Sequence, residues 1–153
     1  MPGFSGLHHV KLPVRDLAVA VPWYERALGA EVDPALDHRT PDGLLFARIL
    51  RLPGVPVPIE LRLAPRAAAA VAGYDPLTLA VEDQARLREW TDHLDAAGIE
   101  RSPVLRSLAG HLVVLRDPDG LMIRIHTVPG PLIDPAEADL GSPWVSTELM
   151  APR

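Results

Sequence analysis

An internal repeat constrains the fold of this chain more than any other feature. The segment LPVRD at residues 12–16 closes an apolar strand and opens a predicted helix, and the segment LAVED at residues 79–83 does the same in the second half. Both predicted helices end at a glycine, Gly29 and Gly98, and glycine is the usual residue in the left-handed conformation that closes a helix. The sequence therefore predicts two copies of one unit.

Three extended segments follow each predicted helix. They cover residues 31–38, 44–52, 57–64, 101–107, 110–116 and 121–127, and proline- and glycine-containing turns separate them. Each unit is thus a βαβββ module. Because Pro22 would remove a hydrogen bond inside the first helix, we expect that helix to begin near Val19 rather than at Asp16.

The length of 153 residues suits one domain. We expect an α+β domain over residues 1–128, in which two tandem βαβββ modules form a curved mixed sheet around a cleft. Module one covers 7–64, module two covers 74–128, and the linker 65–73 is either flexible or a short helix. Residues 129–153 are rich in proline and predict an irregular tail.

Charge and composition exclude several classes of partner. Fifteen basic and twenty acidic side chains give a net charge of −5, and no run of basic residues could follow a nucleic-acid backbone. The chain has no cysteine, no apolar run of membrane-spanning length and no leader-like start. We therefore expect a cytoplasmic protein that binds neither nucleic acid nor membrane.

The strands alternate apolar residues, which pack beneath the helices, with residues that face away. The second set is unusually polar: His9, Lys11, Glu60, Arg62, Thr78, Arg124 and His126. Two interpretations remain open, a solvated sheet face and the lining of a binding cleft. The same alternation predicts that His8 points away from His9.

Three segments together resemble the vicinal oxygen chelate superfamily, which includes glyoxalases, bleomycin- and fosfomycin-resistance proteins and extradiol dioxygenases. They are HHVKLPVRDL at 8–17, WYERALG at 23–29 and DPDGLMI at 117–123. The resemblance covers residues 7–128 and implies the glyoxalase/bleomycin resistance fold. It also implies a homodimer, since members of the family commonly pair.

In that superfamily a His or Gln and a Glu from each module bind a divalent metal, which in module one corresponds to His9 and Glu60. The matching positions of module two hold Pro76 and Arg124. Proline has no side-chain lone pair and a guanidinium repels a cation. We therefore expect no cofactor, and the alternative is a divalent metal held by His9, Glu60 and His126.

These residues favour a protein that encloses a small oxygen-rich or anionic organic molecule without a metal. Arg124 either pairs with Glu60 or receives an anionic ligand. If the chain is an enzyme, His9 is the candidate general acid or base, Glu60 its partner, and Arg124 stabilises developing negative charge. The further ligand-binding candidates are Lys11, Arg62, Thr78, His126 and Trp144. The competing hypotheses are a metal-dependent lyase, isomerase or oxygenase, and a scaffold without a ligand.

Overall fold

The computed structural model describes residues 1–145, so the last part of the predicted tail, 146–153, lies outside the described residues. Its helices are α1 (Leu17–Leu28), α2 (Pro65–Ala70) and α3 (Gln84–Ala96), and its strands are β1 (Val10–Val14), β2 (Glu31–Val32), β3 (His38–Arg39), β4 (Leu45–Arg51), β5 (Ile59–Leu63), β6 (Leu77–Val81), β7 (Leu105–Ser107), β8 (Gly110–Arg116) and β9 (Met122–Thr127). The predicted α+β class and βαβββ order are confirmed.

The chain divides into two compact units. Unit 1 contains Met1–Ala72 and the turn Asp117–Gly120, and unit 2 contains Gly73–Arg116 and the chain from Leu121 onward. The predicted module boundaries and the cleft between the modules stay predictions. No helix among residues 1–145 is long and apolar enough to cross a membrane.

Unit 1 is a mixed sheet covered by α1. Its strand order is β1-β5-β4-β2, with β3 also paired to β4, and only β1 and β5 run parallel. Leu12, Ile59 and Leu61 are buried together with the helix residues Tyr24 and Leu28. This apolar layer fixes which face of each strand is turned away from the helix.

The start of α1 differs from the prediction, because the helix begins at Leu17 and contains Pro22. The Asp16 side chain accepts a hydrogen bond of 2.8 Å from the Ala18 amide and so caps the first turn. Leu17 is buried, whereas Pro22 lies on the exposed side. Water can therefore reach the carbonyl that Pro22 leaves without a helical donor.

Other predicted boundaries also changed where proline intervenes. The segment 31–38 is broken by a 3₁₀ turn at Pro34–Leu36, since Pro34 has no N–H for a sheet ladder. The linker 65–73 contains the helix α2. The segment 101–107 forms a strand only from Leu105 to Ser107.

Unit 2 repeats the pattern with a sheet of order β6-β9-β8-β7, in which only β6 and β9 run parallel. Leu87 and Leu94 of α3 are buried over one face of this sheet, with Ile123 and Ile125. Gly29 and Gly98 adopt φ of 63° and 65°, which confirms the predicted helix ends in both units.

Candidate functional site

The polar face of unit 1 is organised around a buried carboxylate. Glu60 is 1 % exposed, and Arg62 donates to its Oε1 from Nε at 2.6 Å and from its terminal nitrogen at 2.5 Å. Lys11 Nζ lies 3.6 Å and His9 Nε2 lies 3.2 Å from the other oxygen, Oε2. We call His9, Lys11, Glu60 and Arg62 the Glu60 cluster.

Strand register explains why these side chains meet. Lys11 of β1 lies directly beside Glu60 of β5, and Arg62 lies two residues further along the same strand. Side chains two residues apart in a strand share a face, and neighbouring strands place register partners side by side. The sequence prediction that Lys11, Glu60 and Arg62 face away from the helix agrees with this register.

The Glu60 carboxyl is held in its charged form. Its burial raises the pKa, but the hydrogen bond and charge of Arg62, together with the charges of Lys11 and His38, lower it further. The net pKa of Glu60 therefore lies below its ordinary value. A buried, ionised carboxylate that already has two permanent cations as neighbours forms an internal ion-pair network.

The prediction that His8 points away from His9 is wrong. Both residues precede β1, which begins at Val10, so strand alternation does not govern them. Their Nδ1 atoms lie 2.8 Å apart, and His9 Nε2 faces Glu60. The chain His8–His9–Glu60 can hold a proton between neighbouring groups, which is the arrangement a general acid or base needs.

Phe46 and His38 also border the Glu60 cluster, and sequence reasoning assigned neither of them a role. The Arg62 guanidinium lies 4.9 Å from the centre of the Phe46 ring, and the rings of Phe46 and His38 are 5.8 Å apart. A cation over an aromatic face is attracted to it. His38 pairs with Ala47 and Arg39 with Leu45, so Phe46 is the extra residue of β4 at a register shift, where the alternation of side chains is interrupted.

In unit 2, Arg124 forms an ion pair with Asp75, one residue before the Pro76 position. Its Nε is buried and has no hydrogen-bond partner among the described residues. Thr78 is its register partner on β6 and is exposed. The pair between Arg124 and Glu60 predicted from the sequence stays a prediction.

His126 uses both of its ring nitrogens within unit 2. Nε2 lies 2.7 Å from the Ser107 hydroxyl, and Nδ1 lies 2.5 Å from the backbone oxygen of Thr127. Because a carbonyl only accepts, Nδ1 carries the proton and Nε2 accepts from Ser107. His126 would have to give up the Ser107 contact before it could bind a metal.

Trp144 packs on the same sheet. It contacts four buried residues that we call the Trp144 platform: Leu105, Leu112, Val114 and Met122. The Arg116 guanidinium lies 5.1 Å from the centre of the Trp144 ring. Trp144, a ligand-binding candidate from the sequence, thus has a definite location, and its role as a ligand contact stays a prediction.

The donor set does not suit the divalent metal that the superfamily implies. Glu60 is the anionic ligand of the predicted partial site, but cationic groups occupy both of its oxygens. Among residues 1–145, no three His, Cys, Asp or Glu side chains come together as a metal site. A metal at His9 and Glu60 would have to displace Lys11 and compete with Arg62.

Comparison with known proteins identifies the superfamily of this chain. The sequence profile of the Glyoxalase/Bleomycin resistance protein/Dioxygenase superfamily matches residues 6–125. The chain therefore belongs to this superfamily, and the resemblance identified from the three sequence segments is confirmed. No curated protein matched the chain.

Solved structures agree on the fold. A glyoxylase/bleomycin resistance protein/dioxygenase domain from Frankia sp. EAN1pec aligns with a TM-score of 0.64 and 22% identity, over 82% of this chain and 98% of the other. TnmS3, an antibiotic binding protein from Streptomyces sp. CB03234, gives 0.66 and 19%, over 85% and 100%. The fosfomycin resistance protein FosX from Listeria monocytogenes gives 0.61 and 18%, over 82% and 94%. At these identities the likeness establishes the fold alone.

Proposed function

We propose that this protein binds a small oxygen-rich or anionic organic molecule, and that it does so without a divalent metal. One observation carries the proposal: the carboxylate in the family's metal-ligand position is buried between Arg62 and Lys11. Two permanent cations around one carboxylate leave a net positive charge. Such a face attracts anions and repels metal ions.

Glu60 does not accept from all of the N–H donors of Lys11 and Arg62. Lys11 is about half exposed, and its ammonium has three N–H donors, of which the Glu60 contact uses one at most. Arg62 keeps its second terminal nitrogen beyond the two atoms that contact Glu60. The similarity to an antibiotic binding protein and to a fosfomycin resistance protein is consistent with a small organic ligand.

The test is a thermal-shift screen of metal-stripped protein with small carboxylates, hydroxy acids and phosphonates, including fosfomycin. We expect at least one compound to raise the melting temperature equally with and without a chelator. The Lys11→Met variant keeps the aliphatic part of the side chain and should weaken that binding. Arg66→Met is the matched control, because Arg66 is exposed on α2 away from the Glu60 cluster.

Two results would contradict the proposal. Stoichiometric iron, zinc, nickel or manganese in the purified protein, lost in a His9→Ala variant, would establish the metal-dependent alternative. The absence of a thermal shift with every compound would favour a scaffold without a ligand.

A further inference from the structure

Residues 129–145 of the tail are hydrogen-bonded to β7 and to the turn after it, and the one 3₁₀ turn in this part of the chain is Pro135–Glu137. Gly130 N donates to Ala109 O at 2.7 Å, and Ile133 N donates to Leu108 O at 2.9 Å. Further along, Asp139 N donates to Arg106 O at 2.9 Å, and the Asp139 carboxylate accepts from Arg106 N at 2.7 Å. The first two contacts are with the turn between β7 and β8, and the last two are with β7 itself.

The tail ends, among the described residues, with its largest side chain on an apolar surface. Trp144 lies on the Trp144 platform, whose residues are between 0% and 8% exposed. The indole itself is only partly buried. Trp144, together with Val145, therefore covers this apolar surface.

Strand register places this platform beside Arg124 and His126. Val114 is the direct register partner of Arg124, and Leu112 is that of His126. Leu105 pairs in turn with Leu112, so all of these side chains share one face of the sheet. The opposite face is the one that α3 covers.

Arg124 offers a hydrogen-bond donor that has no acceptor among residues 1–145. Its terminal nitrogen contacts Asp75, whereas its Nε is buried without a partner. An unsatisfied buried donor is destabilising, and a charge-assisted hydrogen bond to a carboxylate would remove that penalty. This face of the sheet thus has a hydrogen-bond donor for an anion beside an apolar surface.

We propose that this face binds a carboxylate that carries a flat apolar or aromatic group, and that Trp144 is the displaceable internal competitor for the apolar half. The carboxylate accepts from Arg124 Nε, and the ring replaces the indole on the Trp144 platform. This inference keeps the ligand class of the proposed function, an anionic organic molecule, but it assigns an aromatic or similar apolar carboxylate to the face of unit 2 and not to the Glu60 cluster.

The side-chain contacts that hold the tail near Trp144 involve exposed groups. The Arg106–Glu137 ion pair, at 2.8 Å, joins two exposed side chains, and pairs of this kind contribute little to stability. The Arg116 guanidinium adds one cation–π contact with the Trp144 ring. Displacement of the indole breaks these side-chain contacts and leaves the hydrogen bonds of Gly130, Ile133 and Asp139 in place.

The experiment is calorimetric titration of the full chain with indole-3-acetate, which joins the ring of tryptophan to a carboxylate. If the indole of Trp144 occupies the platform about nine-tenths of the time, the apparent affinity for the ligand falls about tenfold. Trp144→Ala should therefore bind indole-3-acetate about tenfold more tightly than wild type. Leu132→Ala is the matched tail control, since Leu132 is 81% exposed, and should bind as wild type. The neutral indole-3-acetamide should bind more weakly, and Arg124→Gln should abolish that preference.

Two further measurements keep the test decisive if Trp144→Ala folds poorly. Glu137→Ala loosens the tail without touching the platform and should also raise affinity. In the wild type, indole-3-acetate should accelerate chymotrypsin cleavage after Trp144, because the displaced tail becomes accessible.

Unchanged or weaker binding by Trp144→Ala, with chelator-independent binding of small carboxylates intact, would overturn the role of Trp144 and leave the proposed function standing. Equal affinity for the acid and the amide would overturn the role of Arg124. Failure of wild type and variants to bind any carboxylate would overturn both proposals.

Discussion

At the scale of single residues, the Glu60 cluster shows how neighbouring cations determine the charge state of a buried carboxylate. A carboxylate buried alone would be neutralised, but Arg62 and Lys11 keep Glu60 ionised. The Lys11–Glu60 ion pair then joins β1 and β5 through their side chains as well as their backbones. Glu60 therefore stabilises unit 1 in addition to any part in binding.

This role predicts a pH-dependent effect of Glu60→Gln. Because the pKa of Glu60 is lowered in the folded state, its contribution is complete above the unfolded-state pKa and is lost as pH falls through the folded-state pKa. At pH 7 the variant should be about 1.5–3 kcal/mol less stable than wild type, the range for hydrogen bonds to charged groups. Urea unfolding should show this gap closing between about pH 5 and the more acidic end of the carboxyl range.

The matched control is Glu89→Gln, because Glu89 forms an exposed pair with Arg86 on α3. It should change the free energy of unfolding by less than about 0.5 kcal/mol. If the difference in free energy of unfolding between wild type and Glu60→Gln stays constant from neutral to acidic pH, Glu60 is not part of an ionised network.

Among the glycines that the structure describes, Gly110 leaves the least room for a side chain. A Cβ at this position would lie 2.4 Å from Thr127 Oγ1 and 3.2 Å from His126 Cε1. Gly110→Ala should therefore destabilise the fold by about 1–3 kcal/mol through overpacking against a stiff β-branched side chain. Thermal or urea unfolding measures the change.

A double-mutant cycle separates this clash from a general effect of alanine. Gly110→Ala should cost less in a Thr127→Ala background, since the nearest atom is then absent. Gly141→Ala, where no atom lies within 4 Å of the added Cβ, should be nearly neutral. Equal costs in both backgrounds would refute the steric explanation.

At the scale of elements, the two modules use the same devices to begin and end their helices. Asp16 caps α1 and Asp83 caps α3, where the Asp83 carboxylate accepts from Arg86 N at 2.9 Å. Asp83→Ala should lower the free energy of unfolding by about 1 kcal/mol, the usual effect of losing an N-cap. Asp92→Ala, an exposed change within α3, should stay within about 0.5 kcal/mol in the same urea unfolding series.

These devices also explain which elements could be predicted from the sequence. Glycines at helix ends and alternation along strands are local signals, and they located Gly29, Gly98 and the shared face of Glu60 and Arg62. The start of α1 was missed because a cap and a buried Leu17 outweigh the cost of Pro22. The helix propensities of single residues do not include the energies of capping and burial.

The partners within the candidate site were harder to predict than its residues. Asp75 precedes β6 and Ser107 ends β7, so no periodicity indicates that they contact Arg124 and His126. The position of Trp144 depends on hydrogen bonds between an irregular tail and β7. Contacts of this kind depend on three-dimensional register, which a single sequence does not encode in a local pattern.

At the scale of the whole molecule, the turn Asp117–Gly120 belongs to unit 1 although it lies between two strands of unit 2. Arg15 binds Asp119 through its backbone amide at 2.8 Å and its side chain at 2.5 Å. The Tyr24 hydroxyl donates to the Asp117 carboxylate at 3.1 Å from within the core. The turn therefore closes unit 1 with residues that are about a hundred positions apart, so folding unit 1 requires most of the chain to be present.

The contact between Tyr24 and Asp117 predicts that the free energy of unfolding falls at alkaline pH. Burial, followed by the charge and hydrogen bond of Asp117, raises the pKa of Tyr24 well above its ordinary value. Above about pH 10 the unfolded chain loses a proton that the folded chain retains, so stability falls as pH rises. Tyr24→Phe should be about 1–2 kcal/mol less stable than wild type at pH 7, and urea unfolding should show this difference shrinking above pH 10.

Tyr74→Phe, at an exposed position, is the control and should leave the pH dependence of wild-type stability intact. A wild-type and a Tyr24→Phe curve that stay parallel into the alkaline range would mean that the tyrosine does not hold the turn in unit 1.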